Sequence, residues 1–350
     1  MNVFVAVFAD DAKDELNPFT YTLESQICVA HHDVIFSSRK SEFWDRNDWD
    51  IVHVMWPDCF VPAMREGKDL CSRLIELKDK GTKIVSTVHN FWSHSHSSEE
   101  DYYFAYQIIY SMSDVMVHLG EYSKDKFEGL YRQAKHIVIP HHVYNTIYTD
   151  IPCKGDARKY FDYNQGIFVL VFGAFRHIEE KKLMFSVIKA NPRIRFVIPR
   201  LYELPKGKIN MRWVRQRLKH VYYKIKYPNL LCSGDTFVSE ANLKYYYAAT
   251  DISFIPRMNN LNSGNLPLGM LMGHVIVGPS IGNVGELIQS TQNFTYEFGN
   301  YESIKEALNK ALAAVAQRKG EKNREYALKN WNTKKIAEMY YNTYKSLCNN

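Results

Sequence analysis

Short apolar runs alternate with amphipathic stretches along the first half of the chain. Five such runs, bounded by polar residues or glycine, predict buried strands over residues 3–8, 51–55, 84–88, 114–118 and 136–139. Between the second and third runs, apolar residues recur at helical spacing and predict one helix over 63–80 that ends at Gly81. Alternating strands and helices are typical of a parallel sheet with helices on its faces.

The same alternation resumes after a polar interruption. Residues 144–165 are polar and contain Pro152 and Gly155, so we interpret them as a linker. Beyond it, apolar runs predict strands over 166–173, 195–198, near 230, 252–255 and 275–277. Helical spacing predicts helices over 181–189, 242–249 and 333–347. The sequence therefore predicts an α/β protein with two similar domains, 1–150 and 165–331, and a closing helix within 332–350.

One helix is predicted between the strands 252–255 and 275–277. Asn262, Ser263 and Gly264 mark its start, because such residues cap helices and let a ligand approach bare backbone N–H groups. A helix N-terminus opened by Ser-Gly can bind an anion. The alternative is that Ser263 is only an N-cap and Gly264 only a turn residue.

Composition indicates a folded protein and limits the cellular compartments in which we expect it. Hydrophobic residues make up 46% of the 350 residues and charged residues 23%, which argues against a disordered chain. The six cysteines form no Cys-x-x-Cys pair, which favours reduced thiols over a zinc site or a disulfide framework. The N-terminus has no basic leader, and no apolar run is long enough to cross a bilayer. We therefore predict a cytoplasmic protein.

One segment concentrates positive charge. The net charge is only +6, but residues 206–227 contain no acidic residue and carry eight basic ones: Lys206, Lys208, Arg212, Arg215, Arg217, Lys219, Lys224 and Lys226. Aromatic and aliphatic residues interleave with them, which predicts a basic amphipathic helix. Such a helix can lie on an anionic membrane surface, here the inner face of the cell membrane, or hold a polyanionic substrate. A solvated basic face is the alternative, and nucleic acid is less favoured because the basicity is confined to this segment.

Histidines follow the predicted strand 84–88. His89 comes directly after the strand, with His94 and His96 seven residues or fewer beyond it. Three nearby histidines can bind a metal, but no carboxylate or cysteine stands at a matching spacing, so we expect none. A histidine at the carboxyl end of a strand can instead hydrogen-bond a substrate hydroxyl or act as a base. Asp10 and Asp11, which end the first strand, reach the same edge of the predicted sheet.

A glycine and basic residues end the first strand of the second domain. Gly173 permits a tight turn against a ligand, Arg176 offers a planar fork for phosphate, and Lys181 follows closely. A surface arginine after a strand needs no function. The chain lacks a P-loop motif and a Gly-x-Gly-x-x-Gly after its first strand, which argues against a P-loop nucleotidase and a dinucleotide-dependent dehydrogenase.

Several of these motifs occur together in a known order. The second half contains Phe172–Arg176, Tyr247–Asp251, Asn262–Gly264, Gly273–Gly278 and Gly282–Ile288, and the first half contains 87–90, 114–118 and 138–141. Their order and spacing resemble those of nucleotide-sugar glycosyltransferases of the group 1, family 4-like type. Trp331 and the helix after it are similar to the closing helix that crosses back onto the first domain in those enzymes.

The resemblance implies the GT-B architecture, in which two Rossmann-like domains have parallel sheets facing a central cleft. It implies that the second domain binds the nucleoside-diphosphate sugar and the first binds a saccharide acceptor. Donor-binding positions would then be Gly173, Arg176, Lys181, Asn262, Ser263, Gly264 and Glu286. His89 would face the donor sugar. No bound metal or other cofactor is expected, since basic side chains and a helix N-terminus hold the diphosphate.

The implied reaction is sugar transfer by a hexosyltransferase to a saccharide acceptor, which we expect to be lipid-linked and used for a bacterial surface polysaccharide. If the sugar's configuration inverts, an acceptor-side base is needed, and the candidates are Asp10, Asp11, His89 and His94. If the configuration is retained, His89 more readily positions the sugar. Arg212, Arg215, Arg217 and Lys219 are the candidate patch for a membrane or the acceptor.

Three positions depart from the family pattern. Its pair of glutamates falls on Asn260 and Leu268, and the lysine expected after Arg176 falls on Glu179. The alternative function is therefore a catalytically impaired sugar- or nucleotide-binding protein of the same fold. A sugar-nucleotide epimerase or a phosphorylase is the alternative among enzymes, and fold by itself does not decide between them.

Overall fold

The apolar runs of both halves of the chain form parallel strands. A computed structural model describes residues 1–7, 17–93, 99–163, 166–173, 175–201, 210–234 and 238–349. The chain divides into two units, of which the first comprises Met1–Ile147 with Asn330–Asn350 and the second Tyr148–Lys329. The predicted domain ends were 150, 165 and 331.

The first unit is built on a parallel sheet. Its described residues form β1 (Asn2–Ala6), β2 (Ile35–Ser37), β3 (Ile51–Val54), β4 (Lys83–Val88), β5 (Val115–His118) and β6 (Lys135–Val138), in the order β2-β1-β3-β4-β5-β6. The five predicted strands are present within a few residues of their predicted ends. Sequence analysis missed β2, an edge strand with exposed or half-buried residues that lacks a continuous apolar run.

Six helices cover this sheet before the chain leaves the unit. They are α1 (Pro18–Ala30), α2 (Lys40–Asp45), α3 (Val61–Arg65), α4 (Leu70–Asp79), α5 (Glu100–Met112) and α6 (Glu121–Glu128), counted over the described residues. The prediction of a single helix over 63–80 was wrong. Gly67 adopts a φ of +90°, which ends α3, and the Asp69 side chain then caps α4 by accepting a hydrogen bond from the Ser72 N–H at 3.0 Å.

The second unit repeats the parallel arrangement. Its described strands are β7 (Phe168–Leu170), β8 (Arg195–Val197), β9 (Leu230–Leu231), β10 (Ile252–Phe254), β11 (Val275–Pro279) and β12 (Phe294–Tyr296), in the order β12-β11-β10-β7-β8-β9. Its helices are α7 (Lys154–Tyr160), α8 (Ile178–Ala190), α9 (Met211–Lys226), α10 (Glu240–Ala249), α11 (Asn265–Leu271), α12 (Gly282–Ser290), α13 (Tyr301–Ala316) and α14 (Lys319–Asn330). No described helix is both long and apolar enough to span a membrane.

Helix α7 lies inside the stretch that we interpreted as a linker. Asp251, which precedes β10, accepts hydrogen bonds from Lys154 at 2.6 Å and Arg158 at 2.9 Å, and also from the Phe168 N–H at 2.9 Å. These ionic contacts hold α7 against the second sheet. The interpretation of 144–165 as a continuous linker was therefore wrong, because long-range ion pairs order its second half.

The predicted C-terminal helix is present as α15 (Thr333–Cys348) and packs on the first unit. The Tyr344 hydroxyl lies 2.6 Å from His53 Nδ1 on β3, and His53 Nε2 lies 2.8 Å from the Thr87 hydroxyl on β4. Tyr340 reaches the same Thr87 hydroxyl at 3.2 Å. These buried hydrogen bonds join the last helix to the middle of the first sheet. They also satisfy polar groups that would raise the free energy of the folded state if they were buried without a partner.

The backbone of α14 at Gly320 lies against the backbone of Gly273, just before β11. A substitution at Gly320 therefore tests this packing. A Cβ added at Gly320 would overlap the Gly273 carbonyl oxygen. Helix propensity alone favours alanine over glycine by about 1 kcal/mol. We expect Gly320→Ala instead to lower the free energy of unfolding by about 2 kcal/mol, because backbone must move.

Urea unfolding followed by circular dichroism measures this effect. The matched control is Gly155→Ala in α7, where the nearest atom to an added Cβ is Cys153 Sγ at 3.9 Å. That variant should be as stable as the parent or more stable. A Gly320→Ala protein with undiminished stability would contradict the described packing.

Candidate functional site

The order of the strands in the second sheet points to one position for a ligand. From β7 the chain proceeds to β8 and β9 on one side of the sheet, and then to β10, β11 and β12 on the other side. The order thus reverses between β7 and β10. Ligands of open parallel sheets bind beyond the carboxyl ends of the strands at such a reversal. The loops after β7 and β10 are therefore the candidate site.

A fully buried carboxylate ties these two loops together. Glu180, in the first turn of α8, accepts a hydrogen bond from Arg257 Nη1 at 2.9 Å, and Arg257 follows β10. The same carboxylate accepts the Arg176 N–H at 2.9 Å and the Met258 N–H at 3.3 Å. A buried charge is stable only with such compensation. Glu180 therefore fixes both loops relative to each other.

Two arginines lie at this carboxylate: the Arg257 guanidinium pairs with it, and the backbone N–H of Arg176 donates to it. The side chain of Arg257 is buried, whereas Arg176 is exposed to solvent and makes no ion pair with another described residue. Desolvation lowers the pKa of Arg176, the charge of Arg257 lowers it further, and Glu180 opposes both effects. Two arginines beside one carboxylate leave one positive charge uncompensated. The cluster can therefore accept an anion through a planar, bidentate donor.

Gly173 leaves space beside this cluster. Its φ is +100°, and a Cβ there would lie 3.3 Å from Arg257 Nη2 and 3.7 Å from Asn265 Nδ2. Asn265 Nδ2 also donates to the Phe172 carbonyl at 2.7 Å, so α11 is joined to the loop after β7. Glycine satisfies both the backbone conformation and the close approach. The predicted turn at Gly173 thus lies against Arg257.

The Asn262–Gly264 turn lies on the same side of the sheet but is held differently from our prediction. Helix α11 begins at Asn265 with Gly264 as its N-cap, and no side chain makes a capping hydrogen bond. The interpretation of Ser263 as a capping side chain was wrong. Asn262 Oδ1 instead accepts from Asn283 Nδ2 at 2.8 Å, which fastens the loop to α12. Anion binding by the backbone of Ser263 and Gly264 stays a prediction.

Asn260, in this loop, and Leu268, in α11, are uncharged side chains. Both residues are buried, and Asn260 Oδ1 has no hydrogen-bond partner among the described residues. A Cβ at Gly282 would come within 2.6 Å of the Asn260 carbonyl oxygen, so α12 packs directly on the loop backbone. The positions where the resembling family has carboxylates therefore carry no charge here.

Two further predicted donor-site residues lie on helices of the second unit, Lys181 on α8 and Glu286 on α12. Lys181 Nζ donates to the Leu201 carbonyl at 2.7 Å, and its charged neighbour is Lys219. Glu286 is half-buried on α12. Sequence analysis missed Glu180 and Arg257. The only available signals were an arginine just after the strand 252–255 and an acidic residue at the start of a helix, and neither pattern is specific.

In the first unit, His89 lies in an aromatic enclosure at the carboxyl end of β4. Its ring stacks on Trp56 with 4.5 Å between centroids and meets the edge of Phe19 at 4.9 Å. Burial, and then the neighbouring imidazoles of His141, His53 and His142, hold its pKa well below the usual range. His89 is therefore neutral at physiological pH, which suits hydrogen bonding better than proton abstraction.

Two further histidines surround Phe19 and are also neutral. His142 Nε2 donates to the Phe19 carbonyl at 3.0 Å while its Nδ1 accepts the Tyr144 N–H at 3.2 Å, so both ring nitrogens are engaged. His141 Nδ1 donates to the His142 carbonyl at 2.7 Å. Burial lowers the pKa of His141 to about 4 and that of His142 to about 3. These bonds fix the tautomers that neutral imidazoles require.

The remaining catalytic candidates, Asp10, Asp11 and His94, lie outside the described residues, as do His96, Lys206 and Lys208. Within the described part of the chain, no three His, Cys, Asp or Glu side chains are grouped so that they could hold a metal ion. His118, at the end of β5, is engaged with His136 through a 2.9 Å Nε2 to Nδ1 contact.

No protein-family model and no curated protein sequence matches the chain. Solved structures match it along nearly its full length. Sucrose-phosphate synthase from Thermosynechococcus elongatus has a TM-score of 0.71 at 13% identity, over 99% of this chain and 98% of that one. HepE from Anabaena, in complex with UDP, has a TM-score of 0.67 at 12% identity, over 99% of each chain. UDP-GlcNAc 2-epimerase from Neisseria meningitidis, bound to UDP-GlcNAc, has a TM-score of 0.56 at 11% identity, over 98% of this chain and 99% of that one.

These likenesses define the class of fold. Two six-stranded parallel sheets in the described residues, each in an α/β unit, match the two Rossmann-like domains of GT-B structures. The GT-B fold predicted from the sequence is therefore confirmed, as is the resemblance to GT-B glycosyltransferases at the level of the fold. Identities of 11% to 13% show the fold alone.

The buried histidines of the first unit predict a loss of stability in acid. Burial lowers the pKa of His53 and His118 to about 3, as it does for His142, and that of His141 to about 4. Unfolded histidine titrates near 6.5, so between about pH 6.5 and 4 the unfolded chain binds protons that the folded chain does not. The free energy of unfolding should fall by about 1.4 kcal/mol per pH unit for each such histidine.

Urea unfolding at pH 7 and pH 5, followed by tryptophan fluorescence, tests this prediction. The signal reports chiefly on the first unit, because all six tryptophans except Trp213 belong to it. His118→Gln should reduce the number of protons taken up on unfolding by about one, and with it the slope of the free energy of unfolding against pH. Exposed His177→Gln should leave it unchanged. Equal stability at the two pH values would contradict the neutral state of these imidazoles.

Proposed function

We propose that this chain is a glycosyltransferase that moves a sugar from a nucleoside diphosphate sugar to a saccharide acceptor. The observation that carries the proposal is the cluster of Arg176 and Arg257 on buried Glu180, at the strand reversal of the second sheet. The GT-B fold adds support, because structures with this fold include HepE in complex with UDP-glucose. A surplus cation at this position suits a diphosphate.

The chemistry of transfer explains why a cation is needed there. When the acceptor oxygen attacks the anomeric carbon, the bond from that carbon to the phosphate oxygen breaks and its electrons remain on the diphosphate. Fixed positive groups that meet this developing charge lower the barrier. Arg257 is held in place by Glu180, and exposed Arg176 can reach the ligand from the other loop. We propose these two as the groups that stabilise the leaving diphosphate.

On the acceptor side, we propose that His89 hydrogen-bonds a sugar hydroxyl. A deeply lowered pKa makes it a weak base at neutral pH, but a good neutral donor or acceptor. If the reaction inverts the sugar's configuration, the base must then be another group, and Asp10, Asp11 and His94 are the proposed candidates. If it retains the configuration, the positioning role of His89 is sufficient.

Finer features of the function are further proposals. We propose a hexosyl donor, UDP as the first nucleotide to test, and no required metal, because guanidinium groups can neutralise a diphosphate as a metal cation would. We propose a lipid-linked saccharide as acceptor, in bacterial surface polysaccharide synthesis. The exposed apolar and cationic face of α9 supports an acceptor at a membrane.

A binding protein without catalysis is the second candidate function. Neutral Asn260 and Leu268 favour it, since carboxylates stand there in the resembling family. A sugar-nucleotide epimerase is the third, because the Neisseria enzyme shares the fold. Each candidate would bind a sugar nucleotide, but only the first forms a new glycosidic bond.

Nucleotide binding and product analysis test the function together. We expect one of UDP, GDP, ADP, dTDP and CMP to raise the melting temperature, with and without EDTA, because a ligand of the native state stabilises it. The corresponding sugar nucleotide should then release free nucleotide only when a saccharide acceptor is present.

The outcomes separate the three candidates. Binding without turnover across a panel of acceptors favours the binding protein, and a rearranged sugar nucleotide without release favours the epimerase. Loss of the thermal shift in EDTA would overturn the metal-independent proposal. No shift with any nucleotide would overturn the donor site itself.

Arg176 provides the sharpest test of the site. Arg176→Ala should weaken binding of the selected nucleoside diphosphate by about 1.5 to 3 kcal/mol, the contribution of a charge-assisted hydrogen bond. Its melting temperature without ligand should stay near that of the parent, because the residue is exposed. The matched control is Arg193→Ala, an exposed arginine before β8 in the same unit. Equal affinities for the two variants, by calorimetry, would remove Arg176 from the site.

A further inference from the structure

Helix α9 carries an apolar stripe that the protein does not cover. None of its sixteen residues is buried. Six large apolar side chains are between 38% and 83% exposed: Met211, Val214, Leu218, Val221, Tyr222 and Ile225. An ordinary surface helix directs such residues inward and places its polar residues outward. Here the arrangement is reversed.

The phases of the helix make this reversal explicit. Successive residues are turned by about 100°, which gathers the six apolar side chains into an arc of about 100°. The face diametrically opposite carries the half-buried residues Trp213, Gln216, His220 and Tyr223. Tyr223 stacks on Phe185 of α8 with 4.9 Å between centroids. The helix thus rests on the second unit through that aromatic side and presents the apolar stripe to the outside.

Cationic residues border the stripe on both sides. The same phases place Arg212, Arg215, Lys219 and Lys226 along one border, and Arg217 and Lys224 along the other. The helix contains no acidic residue, and none of the six cations forms an ion pair among the described residues. A helix with an apolar stripe between two cationic borders has the pattern of one that lies in a lipid–water interface.

We propose that α9 docks this chain on an anionic lipid bilayer, with the apolar stripe in the interface and the bordering cations at the lipid headgroups. A second copy of the chain fits the stripe poorly, because a symmetric contact would bring the cationic borders of two helices together. The bilayer instead supplies apolar volume and negative charge at once. The helix connects β8 to the edge strand β9, whereas the arginine cluster lies at β7 and β10. Docking therefore requires neither nucleotide nor turnover.

Vesicle sedimentation without nucleotide tests the proposal. We expect the parent chain to sediment with vesicles of equimolar phosphatidylglycerol and phosphatidylcholine, to stay in solution with phosphatidylcholine alone, and to dissociate at high salt. Removing three cations in Arg215→Gln, Lys219→Gln and Lys226→Gln should weaken binding about a hundredfold, since each contributes about fivefold near an anionic surface. The control removes the same charge from α14 through Lys322→Gln, Arg324→Gln and Lys329→Gln, and should bind like the parent.

The apolar stripe needs a separate variant. Leu218→Asp, at a side chain 66% exposed, should weaken vesicle binding at least tenfold, whereas Leu130→Asp, at one 73% exposed in the first unit, should not. Because both sites are exposed, both variants should keep the melting temperature of the parent. Hydrogen exchange should slow across 211–226 on vesicle binding.

Three results would overturn the proposal. The first is absence of vesicle binding by the parent chain, and the second is vesicle binding by Leu218→Asp as tight as that by Leu130→Asp. A concentration-dependent dimer that Leu218→Asp abolishes, without vesicle binding by the parent, would assign the stripe to a second copy. If the parent chain binds vesicles but no nucleotide, the transferase proposal fails and the membrane proposal stands.

Discussion

The buried carboxylate of Glu180 is the constraint on which the candidate site of the second unit depends. A carboxylate without solvent contact is stable only if charge and hydrogen bonds replace its lost hydration. Arg257 supplies the charge, and the N–H groups of Arg176 and Met258 supply further bonds. One residue of α8 therefore determines the path of two loops that follow different strands. Arg257 is cationic and held in place before any ligand arrives, which is what electrostatic stabilisation of a leaving anion requires.

Parallel topology determines which loops can take part. In a parallel sheet all strands end at the same edge, so loops distant in sequence become neighbours there. The close approach then selects small residues at particular points. Gly173 leaves room beside Arg257, and Gly282 lets α12 contact the backbone of Asn260. Both glycines belong to the motifs identified in the sequence. A larger side chain at either position would push apart the elements that form the site.

The sequence predicted those parts of the molecule that depend on local pattern. Continuous apolar runs identified the buried strands, and helical spacing identified α15. Edge strands such as β2 escaped because their half-exposed residues have no such run. The end of α3 near Gly67 was not predicted because it depends on the positive φ of that glycine. Helix α7 was not predicted because it is held by ion pairs with Asp251, which is distant in sequence.

The candidate site shows the same division. Gly173 and Arg176 were found because they stand directly after a predicted strand, where a ligand is expected. Glu180 and Arg257 were missed because neither has a distinctive neighbour in sequence, and their pairing exists only after β7 and β10 come together. Buried ion pairs are tertiary features, so a single sequence contains no local signal for them.

The two units differ in the electrostatics of their candidate residues, and the difference suits the two roles that we propose for them. The second unit holds permanent cations, which suit a diphosphate that gains negative charge as its bond breaks. The first unit holds imidazoles whose pKa values burial has lowered until they are neutral. Neutral donors and acceptors can orient the hydroxyl groups of a sugar without attracting the diphosphate. A neutral imidazole in the aromatic enclosure of Trp56 and Phe19 therefore suits the hydrogen-bonding role that we propose for His89.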